Sequence, residues 1–305
     1  LANRKRNPLE ATTISNRRYT LDKWLYPRIG PELLSAISNR TMKELVEYFV
    51  GANLAASSIR DYTLIAKLVV ASAIDDNGEE LFPRKWKEEY IDAPIVKDQN
   101  QPTVDAEGIS AIIRNSPGQI GVLYALLAGC GPLRVGEALG LEIRHISGDF
   151  RTLVINQKAK RGVIQPYLKT KNGEREVDLC TELADMLRNH VGSRASGLLF
   201  QNTKGTQLSQ ANLLNDHLHP VLKQLNLPIG GFNIFRRFRM KHIDLSPVPK
   251  SLQHFWSGHA QTHISETYVH LLNDRPIRLE WAERLGMGFT LPGQPGQLIG
   301  LRKSA

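Results

Sequence analysis

The sequence predicts a mainly α protein with a small antiparallel β-sheet, an α+β chain divided into two domains. Three observations lead there. Apolar residues recur at helical spacing across most of the chain, the period changes to strand alternation only within residues 143–179, and residues 92–103 (DAPIVKDQNQPT) carry two prolines and no period at all. The boundary falls in that last stretch: a helical domain over 1–92, a linker over 93–103, a second domain over 104–285 and a tail over 286–305. A chain of 305 residues with 41% hydrophobic and 23% charged residues suffices for two ordinary cores.

In chain order, Leu21, Trp24, Leu25 and Ile29 share one helical face and Leu33, Leu34 and Ile37 the next. Thr41-Met42-Lys43-Glu44 reads as a capping box before Leu45, Val46 and Phe49, and Ile59, Leu64, Ile65, Leu68, Val69 and Ala73 mark a further helix, so the first domain is expected to hold four helices. Past the linker, Asp105 caps a helix through Ile112 and an apolar helix spans 119–128. Strands are expected over 151–156, 163–171 and 174–179, with Asn172-Gly173 as the hairpin turn between the last two. Helices resume over 181–190, 209–225, 232–244, 249–256 and 262–271, and the glycine- and proline-rich 286–305 reads as irregular.

A net charge of +9 and a pI near 9.6 favour a polyanionic partner, with nucleic acid in the lead. Arg17, Arg18, Lys23, Arg28, Arg60 and Lys67 are interspersed with Trp24, Tyr26 and Tyr62, as a helical DNA-binding module requires, although a solvated helical surface predicts the same charges. Cys130 and Cys180 are too few for a disulfide framework or zinc knuckle, which points to a reducing cytosol. No apolar run of membrane-spanning length and no signal-peptide h-region occur, so a soluble, non-exported protein is expected. The start, basic at Arg4, Lys5 and Arg6 and without an initiator Met, leads us to expect an upstream segment.

The stretch 129–141 (GCGPLRVGEALGL) places Arg134 at the mouth of a short helix with Glu137 three residues on. By itself this is either a surface i,i+3 ion pair or a hemmed-in arginine that needs an acidic partner or an anion. Further on, Phe232-Asn233-Ile234-Phe235-Arg236-Arg237-Phe238 sets a second arginine pair in an aromatic helix, and Ser257-Gly258-His259 is followed nine residues later by Tyr268, with His270 beyond.

In this order the residues resemble the tyrosine recombinase, or phage integrase, family, whose motif runs Arg-x-x-Glu, a hairpin lysine, His-x-x-Arg, then Leu-Gly-His with a tyrosine nine residues after that histidine. Arg134 to Glu137 matches the first box, 169–179 (KTKNGEREVDL) the lysine hairpin, and Gly258-His259 with Tyr268 the last. The resemblance covers about 104–273; the helical domain fits the family's core-binding domain in position and size only. Asn233 stands where the family usually has histidine, and Ser257 replaces the leucine before Gly258-His259.

The resemblance implies a two-domain DNA clamp, a helical core-binding domain plus a catalytic domain, acting on double-stranded DNA as a homotetramer on paired sites, in the cytoplasm with the nucleoid. It implies attack of Tyr268 on a phosphodiester, with Arg134 and Arg236 on the non-bridging oxygens of the transition state, Glu137 orienting Arg134, His259 donating to the same oxygens or handling the tyrosine proton, and Asn233 aimed at the same phosphate. A hairpin lysine protonates the leaving 5′-oxygen. Lys169 and Lys171 face the same way on one strand, so alternation does not choose between them; the family's frequent Lys-Thr favours Lys169. Arg237, Arg239 and Lys241 are candidate phosphate-backbone contacts.

A 3′-phosphotyrosine conserves the bond energy, so neither ATP nor a metal is needed. His217, His219 and His259 to His263 lack the carboxylate or cysteine company of a metal site, and Gly129 and Gly131 make no dinucleotide fingerprint. Two alternatives share these residues: a DNA-binding protein of the same fold that has lost turnover, and a monomeric type IB topoisomerase.

Overall fold

The computed structural model describes residues 9–96, 101–168, 173–258 and 273–292. The chain divides into two compact units, Leu1–Asn100 and Gln101–Ala305. Among the described residues no helix is long and apolar enough to cross a membrane.

In the first unit, helix Ala11–Thr20 passes through a π-helical turn, Leu21–Leu25, into Tyr26–Ile29; helices Asn39–Gly51, Ala56–Val70 and the short Glu88–Ile91 follow. Met42, Leu45, Val46 and Phe49 fall on one face of Asn39–Gly51 and meet Ile59, Ala66 and Val70 of the next helix in a core that also takes Leu25, Ile37 and Ile91. Trp24 sits 6.1–6.2 Å from the rings of Tyr48, Phe49 and Tyr62.

Two expectations change here. The capping box begins at Ser38 rather than Thr41: the Thr41 amide donates to Ser38 Oγ, and the Ser38 amide to Thr41 Oγ1 at 3.2 Å. A threonine hydroxyl can fill the reciprocal role as well as a glutamate, which starts the helix three residues early. Residues 34–36 form a turn instead, with Leu33 75% exposed; Pro31, just after Gly30, ends the preceding helix and none restarts before Ser38. Of the first unit's basic residues, Lys67 is engaged by Glu88 at 2.7 Å and the Arg28 guanidinium lies 3.8 Å over the Tyr48 ring.

The second unit is built around helix Gln119–Gly129, apolar on every side and buried from Leu123 through Gly129. Helix Ala106–Arg114 packs on it, capped by Asp105, whose Oδ1 accepts from the Gly108 amide at 2.8 Å. Strand β1 (Thr152–Ile155) pairs antiparallel with β4 (Arg175–Asp178), Thr152 opposite Asp178 and Ile155 opposite Arg175. Strands β2 (Lys158–Lys160) and β3 (Val163–Gln165) form a separate ladder.

A hairpin that was not predicted joins β2 to β3. The described turn is Arg161-Gly162, with positive φ at both residues as a two-residue hairpin of right-handed twist requires. Among the described residues strand β4 pairs with β1, which offers buried partners: Leu153 and Ile155 face the same core as Val177. Asn172 lies outside the described residues.

Helices Thr181–Val191, His219–Gln224, Asn233–Asp244 and Lys250–Ser257 follow, with a π-helical turn at Leu213–Leu218, and the predicted 262–271 helix lies outside the described residues. The last helix among the described residues, Arg275–Leu285, was not expected; its inward face carries Arg278, a charge that hydrophobic periodicity does not register. The described start of the tail, 286–292, is irregular, yet Met287, Phe289 and Leu291 are buried in the core and the Thr290 amide donates to Ser110 Oγ at 3.1 Å. Phe289→Ala is accordingly expected to lower stability by about 3–5 kcal/mol in urea unfolding; a change under about 1 kcal/mol would show that the core ends at Leu285.

Candidate active site

The site begins where the central helix stops. Gly131 lies against β4: a Cβ there would stand 2.4 Å from Val177 Cγ1 and 3.3 Å from Trp256 Cβ, so only glycine lets residues 131–133 cross the strand this closely. The chain then turns, and Arg134 becomes the N-cap of helix Val135–Gly140. Glu137, at the third helical position, folds back: Oε2 accepts the Arg134 amide at 3.0 Å and Oε1 accepts Arg134 Nη1 at 2.8 Å. This is no surface ion pair. The Glu137 side chain is 4% exposed while Arg134's is 51% exposed, so a buried carboxylate holds an arginine whose other nitrogens reach outward.

A residue the sequence reading gave no role completes this arrangement. Arg175, in β4, is buried, and its Nη2 donates to Glu137 Oε2 at 2.9 Å, its Nη1 to the Gly173 carbonyl at 2.8 Å and its Nε to the Trp256 carbonyl at 2.8 Å. Burial alone would raise the Glu137 pKa; the Arg175 charge, the Arg134 amide and the two guanidinium hydrogen bonds outweigh it and hold the carboxyl below its ordinary range. The signal for Arg175 was present in the sequence: in the alternation of 174–179 it shares the inward face with Val177, and an arginine in a core position needs partners.

Helix Asn233–Asp244 brings in the second arginine. Ile234 and Phe235 are buried, Phe235 stacking on Tyr124 at 4.9 Å, and this anchors the helix start. Arg236 projects beside them and donates through Nη1 to the Pro132 carbonyl, two residues before Arg134. Burial and then the nearby Arg134 charge push its pKa down to about 10, still far above neutrality. Asn233, one turn earlier, is exposed.

Among the candidate backbone contacts, Lys241 is exposed and Arg237 donates to the Pro102 carbonyl at 3.0 Å. Arg239 does not fit that role. It is 2% exposed, its pKa is pushed down to about 10 by burial, and its Nη1 donates to the Gly286 carbonyl at 2.7 Å, so it ties this helix to the start of the tail. Sequence position put it beside Arg236, but helical rotation turns it into the core.

Helix Lys250–Ser257 ends at Gly258 in the left-handed region, φ 65°, where glycine is the natural terminator. Ser257 is buried, and its hydroxyl donates to the Gln253 carbonyl at 2.5 Å, so the departure from leucine leaves no unsatisfied group. Trp256 Nε1 and Arg278 Nε both donate to Asp178 Oδ2 at 2.9 Å, and Arg278 Nη2 reaches Glu176. Lys169, Lys171, His259 and Tyr268 lie outside the described residues. Among the described residues no three His, Cys, Asp or Glu side chains group as a metal site would require.

The fold that carries this geometry is that of the tyrosine recombinases. The Tn1549 transposon integrase, solved in complex with circular intermediate DNA, superposes with a TM-score of 0.67 at 15% identity over 88% of this chain and 95% of that one. A lambda integrase dimer bound to a COC′ core site gives 0.59 at 14% identity over 88% and 90%, and the XerH site-specific recombinase bound to difH gives 0.53 at 16% over 88% and 80%. No protein-family sequence model and no curated protein sequence matches the chain.

Because the folded Glu137 pKa lies below its ordinary 4.5, the carboxylate contributes stability that is present above that value and lost as pH falls through the folded pKa. Glu137→Gln should therefore unfold with a deficit of about 3 kcal/mol at pH 7, leaving Arg175 without its counter-ion. The gap to wild type should narrow as pH drops below the ordinary carboxylate range; a gap independent of pH would mean that the charge is not what matters.

Proposed function

We propose that this protein is a site-specific DNA recombinase that breaks and rejoins strands through a 3′-phosphotyrosine intermediate, in integration or excision of a mobile element. The observation that carries the reading is the convergence of two guanidiniums, Arg134 and Arg236, at the mouth of one helix beside a buried carboxylate, on a fold shared with recombinases solved on DNA. A pentavalent phosphorane carries extra negative charge on its non-bridging oxygens, and two preorganised arginines stabilise that charge more than the ground-state diester. Glu137 sets the direction of Arg134, and the about-10 pKa of Arg236 keeps it cationic at working pH.

Tyr268 is the proposed nucleophile, His259 a donor to the phosphoryl oxygens or a relay for the tyrosine proton, and Lys169 or Lys171 the acid for the leaving 5′-oxygen. No cofactor enters, since the phosphotyrosine stores the energy of the broken bond. Residues 1–92 and 104–285 act as the two halves of a DNA clamp joined by 93–103, with Arg237 and Lys241 on the phosphate backbone, and four copies work on paired sites in the cytoplasm at the nucleoid. The net charge of +9 supports the polyanionic partner.

The test is capture of a covalent adduct from a library of nicked duplexes with randomised cores, read by denaturing gel and by sequencing of the attached strand. Tyr268→Phe should abolish the adduct while leaving duplex binding nearly intact, since only the hydroxyl is lost. A full-strength adduct in that variant would move the nucleophile elsewhere, and none from wild type would sink the reading.

Asn233 favours one rival, a DNA-binding protein of this fold without turnover, because an amide hydrogen-bonds a phosphoryl oxygen but exchanges no proton at neutral pH. Two arginines, His259 and a hairpin lysine still supply charge and protons, so donor strength should suffice. Asn233→His is expected to change the cleavage rate by less than about tenfold, and Asn233→Ala to cost about 2–3 kcal/mol of transition-state stabilisation. An inactive wild type revived by the histidine variant would favour the rival.

A further inference from the structure

We infer that Arg175 is a positioning residue for the proposed strand cleavage: one buried guanidinium that holds Glu137, the chain just after residue 172 and the chain leading to His259 in fixed relation to one another. The inference rests on the recombinase reading above.

Arg175 occupies a core-facing place in β4, and its side chain is only 2% exposed. Fold stability alone would be served there by an apolar residue, because a guanidinium taken out of water must find partners for its N–H groups. Its three nitrogens each have one, and each partner belongs to a different segment: Glu137 Oε2 at 2.9 Å, the Gly173 carbonyl at 2.8 Å and the Trp256 carbonyl at 2.8 Å. Every one of these acceptors lies within a few residues of a proposed participant. Glu137 grips Arg134, Gly173 directly follows the stretch with Lys169 and Lys171, and Trp256 precedes His259 by three residues.

The geometry at Glu137 makes the link specific. Oε1 takes Arg134 Nη1, while Oε2 takes both the Arg134 amide and Arg175 Nη2, so Arg175 fixes the rotation of the carboxylate and, through it, the direction of the Arg134 guanidinium. A planar fork can serve three acceptors in three directions at once. A lysine ammonium keeps the charge toward Glu137 but, as a point donor on a flexible stem, cannot hold all three.

The experiment uses the full chain and a duplex carrying a sequence recovered by covalent capture, nicked so that the cleaved strand cannot be rejoined. Arg175→Lys, confirmed folded by circular dichroism, should form the adduct about tenfold to a hundredfold more slowly at saturating DNA. Its duplex affinity should stay within about threefold of wild type, the mark of an interaction felt in the transition state. Arg175→Gln adds a readout that mere destabilisation would not move. Without the Arg175 charge, the cations that face Glu137 among the described residues are Arg134 and, less closely, Arg236; its pKa rises, and the acid limb of the cleavage rate should move to higher pH. Wild-type cleavage by folded Arg175→Lys, equal losses of affinity and rate, or an acid limb that stays in place in Arg175→Gln would each overturn the inference. Failure of both variants to fold would assign the residue to stability alone and overturn it as well. No adduct from wild type would remove the recombinase reading and this inference with it, whereas a wild-type adduct beside an unimpaired Arg175→Lys removes only the inference.

Discussion

The Glu137 carboxylate sits between two arginines of opposite circumstance, one buried and one half in water, and much of the second unit is arranged to keep it there. Taking a carboxylate out of water costs several kcal/mol unless its oxygens are satisfied by charged donors. Here they are: Oε1 by Arg134, Oε2 by the Arg134 amide and Arg175. The position at the start of helix Val135–Gly140 adds the favourable end of the helix dipole. The result is a fixed anion that holds its outer arginine at a set angle while that arginine's remaining donors stay available.

Strand β4 supplies the frame for this arrangement. Its buried residues are not simply apolar: Arg175 reaches the Glu137 and Trp256 segments, and Asp178 accepts from Thr152, Trp256 and Arg278. Trp256 lies just before residues 259–272 and Arg278 just after them, so one four-residue strand fixes the chain on both sides of the segment that carries the proposed histidine and tyrosine. Buried ionic contacts of this kind add little net stability over an apolar alternative. What they add is direction, since each bond has a preferred geometry that a hydrophobic contact lacks. Gly131 belongs to the same design, its missing Cβ allowing the Arg134 turn to lie against Val177.

The second arginine is held differently. Arg236 hangs from a helix anchored by Ile234 and Phe235, and its tether is a backbone carbonyl, that of Pro132, rather than a carboxylate. A neutral acceptor adds no counter-charge of its own, and burial, then the proximity of Arg134, lowers the Arg236 pKa against the weaker pull of Glu137, so an anionic ligand between the two arginines relieves repulsion as well as gaining hydrogen bonds.

How much of this was legible in the sequence depends on the range of the interaction concerned. Local periodicity and capping marked several helices of both units, though not Ala11–Thr20 or Arg275–Leu285, together with the Asp105 cap and the change to strands, and the spacing of Arg134, Glu137 and Arg236 marked a place for anion chemistry, because these signals act within a turn or two of chain. The start of helix Asn39–Gly51 was misread by three residues because threonine can stand in for glutamate in a capping box. Long-range pairing escaped. That β4 pairs with β1, which partners Arg175 finds, that Arg278 is a buried cation, that Arg239 turns inward to the tail and that Phe289 joins the core all depend on residues from twenty to a hundred or more positions apart meeting in space, or on a helix rotation that only packing selects. A charged residue in a sequence looks the same whether it faces water or a buried partner. Only the tertiary structure decides, because the free energy of burying it depends on whether its counter-charge is waiting there.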